Sequence, residues 1–310
     1  MKQIRFYQII TAISCFFLIS CGIEQNLKKA DKHLSLGEYF DAATQYKKVY
    51  TKTPTKERAA RGKVALKMAR CYDKINSTPK ALAAYSNAIR YKQADLNDRL
   101  AYARLLLKNG SYRQAAKEFE FLLDSMPDNV LVKNGLESAR KAPAWKKEGS
   151  RYKVKRMDVF NSRRDDYSPM FLSDDNSQFY FTSTRNEAQG SDMNGVTGTK
   201  SADIFFSEKD DKGKWSKPEA IGTGLNTDYE EGACCFTPDG KQMYLTQCTT
   251  DPTSPRLAQI VTSNRSDAAW SKPTNLEISK DTLSCFAHPA ISPDGEWLYF
   301  VSDMPGGKGG

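Results

Sequence analysis

Three stretches of the chain are copies of one pattern, and this repeat limits which folds the second half of the chain can adopt. Each copy places a turn sequence, which is Pro-Asp-Gly in two of the three, between runs rich in apolar and aromatic residues. The copies are FLSDDNSQFYFTST at 171–184, FTPDGKQMYLTQC at 236–248 and ISPDGEWLYFVSD at 291–303. Because Pro presets φ, Asp bonds its own backbone and Gly tolerates positive φ, each centre favours a tight turn. Each copy therefore predicts a β-hairpin whose turn aspartates are structural rather than catalytic or metal-binding.

The spacing of the copies indicates how the hairpins are organised. The aligned tyrosines Tyr180, Tyr244 and Tyr299 lie 64 and 55 residues apart, and the element Trp-Ser-Lys-Pro recurs at 215–218 and 270–273. A repeat of roughly 40 to 60 residues that contains short strands is typical of a β-propeller blade. Residues 151–310 therefore predict an incomplete β-propeller of about two and a half blades.

An incomplete ring leaves strand edges unpaired, whereas closed propellers have about four to eight blades. We therefore expect the sequence to be a fragment of a longer protein. The alternative is an open half-propeller that a partner or a second copy completes.

Between residues 22 and 147, alanine and apolar residues instead recur at helical spacing. Three segments share a small residue followed by aromatic and apolar positions, and their marker alanines are Ala42, Ala81 and Ala115. The pattern resembles the tetratricopeptide repeat (TPR), whose period is about 34 residues and whose small residues allow antiparallel helices to pack closely. The first half therefore predicts an α-solenoid of three repeats.

The resemblance implies a curved array whose concave face is formed by the first helix of each repeat. The concave positions carry leucines and charged residues: Leu27, Asp31 and Leu34 in the first repeat, Lys63, Leu66 and Arg70 in the second, and Leu100, Arg104 and Lys108 in the third. The second and third sets predict a cationic groove with leucine between the charges, which suits an acidic peptide or a C-terminal carboxylate. The alternative is that these cations form only a solvated surface.

The end of the helical half is predicted to close the array. A helix from about Asn129 to Arg140 covers the last repeat, as a solenoid end requires. Residues 141–150 contain Pro143 and are predicted to break this helix and form an interdomain linker. The predicted organisation is a signal peptide at 1–20, a TPR domain at 21–140, the linker at 141–150 and a truncated propeller at 151–310.

The N-terminus combines a positive start with a short apolar run. Lys2 and Arg5 precede Phe6–Ile19, which is too short to span a bilayer comfortably and is typical of a signal peptide. The run ends in Leu-Ile-Ser-Cys-Gly, which resembles the bacterial lipobox. This resemblance implies acylation of Cys21 and stable membrane anchoring. The alternative is an ordinary secretory signal peptide that contains a cysteine.

Charge is divided unevenly between the two halves. Residues 22–150 carry 26 Lys and Arg against 14 Asp and Glu, whereas residues 151–310 carry 18 against 23. A basic half favours nucleic acid as the partner of a cytosolic protein, but an exported, anchored chain does not meet nucleic acid routinely. We therefore expect acidic protein surfaces, anionic lipid or cell-wall polymer as partners, and no nucleic acid. A solvated surface with surplus lysine is the alternative.

Cysteine and histidine give no metal-binding pattern. The chain has only His33 and His288, and no Cys-x-x-Cys pair, so we predict neither a metal site nor a cofactor. Cys248 and Cys285 fall at the same rim of neighbouring predicted blades. In an oxidising compartment they can form a disulfide, and the alternative is free thiols.

The combination of these features resembles the OmpA-family lipoproteins of Bacteroidota. The resemblance is carried by the lipobox, the helical repeats, blades of the form S-P-D-G-x-x-L-Y-F-x-S-D with W-S-K-P between them, and the run His288–Gly307. The blades also resemble the TolB-type propeller. Within the family, the chain is similar to the peptidoglycan-binding lipoproteins associated with type IX secretion. There a C-terminal OmpA-like domain holds peptidoglycan, so the resemblance implies peptidoglycan contact only through a domain outside these residues.

We therefore expect a non-enzymatic, lipid-anchored scaffold of the outer membrane that faces the periplasm and binds protein partners of an envelope machine. One alternative is the gating propeller of a serine peptidase whose catalytic domain is missing. No catalytic residue supports it within this sequence, which contains no G-x-S-x-G elbow. The other alternative is a nutrient-capture lipoprotein, which requires clustered exposed aromatic residues rather than tyrosines at repeat-packing positions.

Overall fold

The computed structural model describes residues 22–222, 224–248, 257–267 and 269–307. The predicted signal peptide and Cys21 lie outside the described residues. The chain divides into two compact units. The first runs to Lys153 and includes Gly195–Thr197, and the second comprises Val154–Asn194 and the residues from Gly198 onwards. Within the described ranges, no helix is both long enough and apolar enough to cross a membrane.

Seven helices, counted over the described residues, make up the first unit. They are α1 at 22–35, α2 at Tyr39–Lys52, α3 at Arg58–Lys74, α4 at Thr78–Arg90, α5 at Leu96–Lys108, α6 at Tyr112–Ser125 and α7 at Val130–Glu148. From α2 onwards each helix packs against the next, and α5 also contacts α7. Three helical hairpins and one additional helix thus form a repeat array of the kind that the TPR-like pattern predicts.

The marker alanines explain how the helices pack closely. Ala42, Ala81 and Ala115 lie in the second helix of each hairpin and are completely buried. A side chain that ends at Cβ allows a neighbouring helix to approach. Four residues later each second helix places a large aromatic side chain in the core, namely Tyr46, Tyr85 and Phe119, all at most 2% exposed. Burial of side chains of this size stabilises each hairpin by about 1.5–3 kcal/mol per residue.

Helix α7 runs through the segment that the sequence predicts as a linker. It ends at Glu148 and contains Pro143 in its interior, so the prediction that the helix breaks after Arg140 was wrong. An interior proline costs about 3 kcal/mol because it removes an N–H and crowds a carbonyl. Here the following residues, Ala-Trp-Lys-Lys-Glu, are mostly good helix formers on an exposed end. The helix stops at Gly149, whose φ of +76° favours glycine.

The second unit contains, in its described residues, two sheets and a hairpin. Sheet 1 has the order β1 (Asp166–Phe171), β2 (Gln178–Ser183), β3 (Asp203–Glu208) and β4 (Glu219–Ala220). Sheet 2 comprises β5 (Glu230–Phe236), β6 (Gln242–Cys248), β7 (Ala258–Ser266), β8 (Ala269–Trp270) and β9 (Thr274–Asn275), where β7 pairs with both β8 and β9. Hairpin 3 consists of β10 (Phe286–Ile291) and β11 (Leu298–Ser302). The three predicted hairpins are present, and the arrangement is compatible with a partial propeller.

The same irregularity recurs in the three hairpins. A bulge shifts the register in β1, β5 and β10, and each bulge contains a non-glycine residue with positive φ: Ser168, Ala233 and His288. The backbone N–H of Ala233 donates to Oγ1 of Thr182 at 3.0 Å, and that of His288 donates to Oγ1 of Thr246 at 2.9 Å. Two of the bulges therefore hydrogen-bond sheet 2 to sheet 1 and hairpin 3 to sheet 2.

Cysteine thiols in the described ranges form no disulfide, and this includes Cys248 and Cys285. Cys71, Cys234 and Cys235 are buried. Burial raises the pKa of Cys71 and of Cys235 to about 11 and that of Cys234 to about 12. These three thiols therefore stay protonated near neutral pH and act as packing residues rather than nucleophiles.

Candidate protein-binding face of the helical unit

The predicted groove residues lie on the first helices of the second and third hairpins. Lys63, Leu66 and Arg70 share one face of α3, because residues three or four apart are neighbours on a helix. The same spacing places Leu100, Arg104 and Lys108 on one face of α5. Lys63, Arg70, Arg104 and Lys108 are all exposed. We call the surface formed by these four cations the basic face.

The leucines of the predicted groove are buried to different degrees. Leu100 is 8% exposed and belongs to the core formed by α5, α6 and α7. Leu66 is half-buried against the core of the first two hairpins, as are Leu27 and Leu34. The prediction of a leucine at Leu100 between the groove charges was therefore wrong, because this position packs inside the array.

Arg70 is held by a carboxylate of the next repeat. Its Nε lies 2.9 Å from Oδ1 of Asp98, and a second guanidinium nitrogen lies 3.1 Å from Oδ2. Asp98 is 5% exposed and belongs to a capping box at the start of α5, in which Asp95 and Asp98 exchange hydrogen bonds with each other's backbone N–H. The hydrogen bonds from Arg70 to Asp98 raise the pKa of Arg70 above its ordinary value. Asp98 therefore compensates the charge of Arg70.

A second ion pair connects α1 to α3. Lys67 Nζ lies 2.7 Å from Oδ1 of Asp31, which also accepts a hydrogen bond from the hydroxyl of Tyr46 at 2.5 Å. Although burial opposes ionisation, the hydrogen bonds from Lys67 and Tyr46 hold the pKa of Asp31 below its ordinary value. The concave position Asp31 therefore has a structural partner, and Lys67 is a cation that the sequence pattern missed.

Arg104 and Lys108 of α5 have different surroundings from Arg70. Lys108 donates a hydrogen bond to the side-chain oxygen of Asn76, which is a neutral amide. Arg104 forms no ion pair with any residue in the described part of the chain. The nearby carboxylate is Asp73, whose pKa is raised by burial and lowered in part by the charges of Arg104 and Lys108. Arg104, Lys108 and the exposed Lys63 are therefore positive side chains that a partner can reach and that no ion pair neutralises among the described residues.

A possible metal-binding group occurs elsewhere in the helical unit. The ligand atoms of His33, Glu38 and Asp41 lie within 4.8 Å of one another, and Nδ1 of His33 is 2.6 Å from a carboxylate oxygen of Glu38. The contact between His33 and Glu38 is an ion pair when the imidazole is protonated. Three side-chain ligands are one fewer than a structural zinc site uses.

Comparisons with known proteins find likeness only among solved structures. No protein-family model matches the sequence, and no curated protein matches it. The C-terminal TPR-containing domain of a Plasmodium falciparum protein described as FK506-binding is similar with a TM-score of 0.36 and 13% identity, over 42% of this chain and 94% of that one. The TPR domain of P58(IPK) is similar with a TM-score of 0.34 and 18% identity, over 44% of this chain and 37% of that one. The helical-repeat fold is evident from the helix pairs themselves.

Proposed function

We propose that this chain is a non-enzymatic, lipid-anchored scaffold that binds protein partners of an envelope machine. The observation that carries the proposal is the basic face of the helical array, where Lys63, Arg104 and Lys108 are exposed and no carboxylate compensates them fully. Arrays of helical hairpins offer extended surfaces for peptides and proteins. Exposed cations on such a surface favour an acidic segment.

We propose that such a partner contacts Arg104 and Lys108 rather than Arg70. Asp98 is buried and fixed by its capping box, so a partner carboxylate does not displace it from Arg70. Arg104 and Lys108 lie on the same helix one turn apart and can share one acidic segment. Because both are exposed, each contact to a carboxylate contributes about 0.2–1 kcal/mol. Binding would therefore require several acidic residues along the partner.

The cellular setting of the proposal comes from the sequence. The lipobox-like end of the apolar run supports attachment to the outer membrane through Cys21. The run His288–Gly307 and the repeated W-S-K-P elements support membership of the OmpA-family lipoproteins and a periplasmic role in type IX secretion. Peptidoglycan would then be bound by an OmpA-like domain beyond these residues. The missing G-x-S-x-G elbow supports a role without catalysis.

Charge reversal on the basic face tests the scaffold function. The full chain is used to capture partners from envelope extract, and the captured proteins are identified by mass spectrometry. Lys63→Glu/Arg104→Glu should lose the acidic partners of the unsubstituted chain. The matched control is Lys47→Glu/Lys117→Glu, which reverses two lysines that are exposed on second helices.

Circular dichroism must first show that both double variants keep their helical content. The proposal requires that only Lys63→Glu/Arg104→Glu loses the partners. If both double variants lose the same partners to the same degree, binding depends on the net positive charge of the chain and not on where that charge lies. The basic face is then only a solvated surface.

A further inference from the structure

A cleft of about 250 Å³ opens between sheet 1 and sheet 2, outside the helical unit. Its walls include the aromatic rings of Tyr180, Phe206 and Trp270. The rings of Tyr180 and Phe206 are stacked with centroids 5.8 Å apart, and Trp270 meets the ring of Tyr180 edge-on at 6.4 Å. Nε1 of Trp270 also donates to the hydroxyl of Tyr180 at 3.4 Å. These contacts fix the walls in place, so the cleft is a preformed space.

Arg265 supplies a positive charge to this cleft. It lies on β7 directly opposite Trp270 of β8, and its guanidinium carbon is 5.8 Å from the centre of the indole ring. Its Nε is buried and donates no hydrogen bond, and the guanidinium forms no ion pair with any residue that the structure describes. Arg265 therefore brings to the cleft a positive charge that no ion pair compensates among the described residues.

Glu208 lines the same cleft with the opposite charge. Its carboxylate accepts a hydrogen bond from the side-chain amide of Gln178 at 2.6 Å and does not form an ion pair with Arg265. The cleft therefore combines a guanidinium without an ion pair, a carboxylate acceptor and aromatic walls. A ligand that fits all three has a carboxylate, an N–H group and an apolar body.

Sheet 1 has a cation and a tryptophan at the positions equivalent to Arg265 and Trp270, but this tryptophan does not border the cleft. Lys209 and Trp215 occupy there the places that Arg265 and Trp270 have in sheet 2, and Nζ of Lys209 lies 4.8 Å from the indole centre. The ring of Trp215 packs against three phenylalanines at 5.2–6.3 Å: Phe160, Phe171 and Phe179. Trp270 instead borders the cleft. Lys209 is therefore a matched control for Arg265.

We propose that this cleft binds a carboxylate attached to an apolar residue, as found at the C-terminus of a peptide. The carboxylate accepts from Arg265, the N–H of the same residue donates to Glu208, and the apolar side chain packs against Trp270 and Phe206. Arginine suits this role because its planar guanidinium binds carboxylates through two hydrogen bonds. Ligand pockets for larger molecules have volumes of about 300–1,000 Å³, so the cleft has room for a single residue.

Titration calorimetry on the full chain tests this site with small probes. N-acetyl-L-phenylalanine should bind saturably, and its C-terminal carboxamide should bind at least tenfold more weakly because it has no charge for Arg265. A third probe, 3-phenylpropionate, keeps the carboxylate but has no N–H group. Weaker binding of 3-phenylpropionate than of N-acetyl-L-phenylalanine assigns the site to a peptide C-terminus. Equal binding overturns the contact between the N–H group and Glu208, and assigns the site to free carboxylates with an apolar body instead of a peptide C-terminus.

Two substitutions locate the binding in the cleft. Arg265→Gln should weaken N-acetyl-L-phenylalanine at least tenfold, whereas Lys209→Gln should leave its affinity unchanged. Thermal unfolding of both variants verifies that they fold. If Arg265→Gln does not fold, the comparison of the acid with its carboxamide on the unsubstituted chain tests whether binding requires the carboxylate. The proposal is overturned if the carboxamide binds as well as the acid, if both substitutions weaken binding equally, or if the acid shows no saturable binding at millimolar concentration.

Discussion

Substitution of Gly135 by alanine tests how closely the last two helices of the array pack. Gly135 is buried inside α7. A Cβ atom at this position would lie 2.3 Å from Cζ and 2.4 Å from Cε1 of Phe119 on α6. Carbon atoms in favourable contact are about 3.5–4.0 Å apart, so the ring and the methyl group cannot both keep their places. Phe119 is completely buried, which leaves its ring no open space for withdrawal.

Two effects of opposite sign determine the expected change in stability. Alanine in place of glycine inside a helix normally stabilises by about 1 kcal/mol. Overpacking of a well-packed core costs about 1–3 kcal/mol, and a contact this short with a completely buried ring places the cost at the upper end. We therefore expect Gly135→Ala to lower the free energy of unfolding of the helical unit by about 2 kcal/mol.

Urea unfolding followed by circular dichroism at 222 nm measures this change, because the helical unit dominates the signal. Asn134→Ala is the control, since Asn134 is exposed on the same helix and alanine there should stabilise by about 0.5 kcal/mol. Adding Phe119→Leu to Gly135→Ala should cost less than the sum of the two single changes, because the smaller side chain relieves the clash. If Gly135→Ala stabilises the unit as Asn134→Ala does, the close approach of α6 and α7 is refuted.

Three further predictions concern the second unit and the N-terminus. Burial raises the pKa of Asp203 to about 6, above about 3.9 in the unfolded chain. The bound proton therefore stabilises the folded unit fully below about pH 4, and this contribution is lost as the pH rises through about 6. Asp203→Asn should accordingly flatten the dependence of the thermal midpoint on pH across this window. Thr246→Val removes the acceptor for the backbone N–H of His288, which should cost about 1 kcal/mol and speed hydrogen exchange of that amide. Cys21→Ala should block acylation and release the protein from the membrane fraction.

Each of these predictions has an outcome that contradicts it. A pH profile that Asp203→Asn does not change would show that folding does not raise the pKa of this carboxyl. Equal exchange of the His288 amide in both proteins would show that Thr246 is not its acceptor in solution. Unchanged co-sedimentation of Cys21→Ala with outer membranes would exclude Cys21 as the anchor.

The helices of the first unit could be predicted from the sequence because their signals are local. Ala42, Ala81 and Ala115 each precede a buried aromatic residue by four positions, and this spacing defines the buried stripe of a single helix. The same local reasoning failed at Pro143, where a strong breaker was outweighed by the helix formers around it. A breaker predicts the end of a helix only if the neighbouring residues do not favour continuation.

The charges of the helical unit could be predicted less well because their partners are distant in sequence. The capping box of Asp95 and Asp98 is a local pattern that a sequence can reveal. The contact of Asp98 with Arg70 spans 28 residues and depends on how α3 lies beside α5. The sequence indicates four equivalent cations on the basic face, whereas the packing pairs Arg70 with Asp98 and leaves Lys63, Arg104 and Lys108 without an ion pair among the described residues.

Repeats predict a common backbone but not a common environment. Tyr180 and Tyr299 hold equivalent places in their hairpins, yet Tyr180 is 3% exposed and Tyr299 is 63% exposed. The difference arises because Phe236 and Trp270 of sheet 2 cover Tyr180. The cleft beside Trp270 could not be predicted from the sequence for the same reason. Its walls come from two repeats, and the sequence does not reveal how those repeats contact each other.

The connection between successive sheets shows how one residue can change what a repeat binds. Thr182 and Thr246 follow the aligned tyrosines by two positions and accept a bulge N–H from the next sheet. Hairpin 3 has Val301 at this position, and a valine side chain has no acceptor. Consider a further strand that packs against β11 in the way that β5 packs against sheet 1. The backbone N–H in the bulge of that strand would find no acceptor on Val301, which would cost about 1–3 kcal/mol if the N–H were buried. Any structure that covers this face must therefore satisfy the N–H by a different contact or avoid a bulge there.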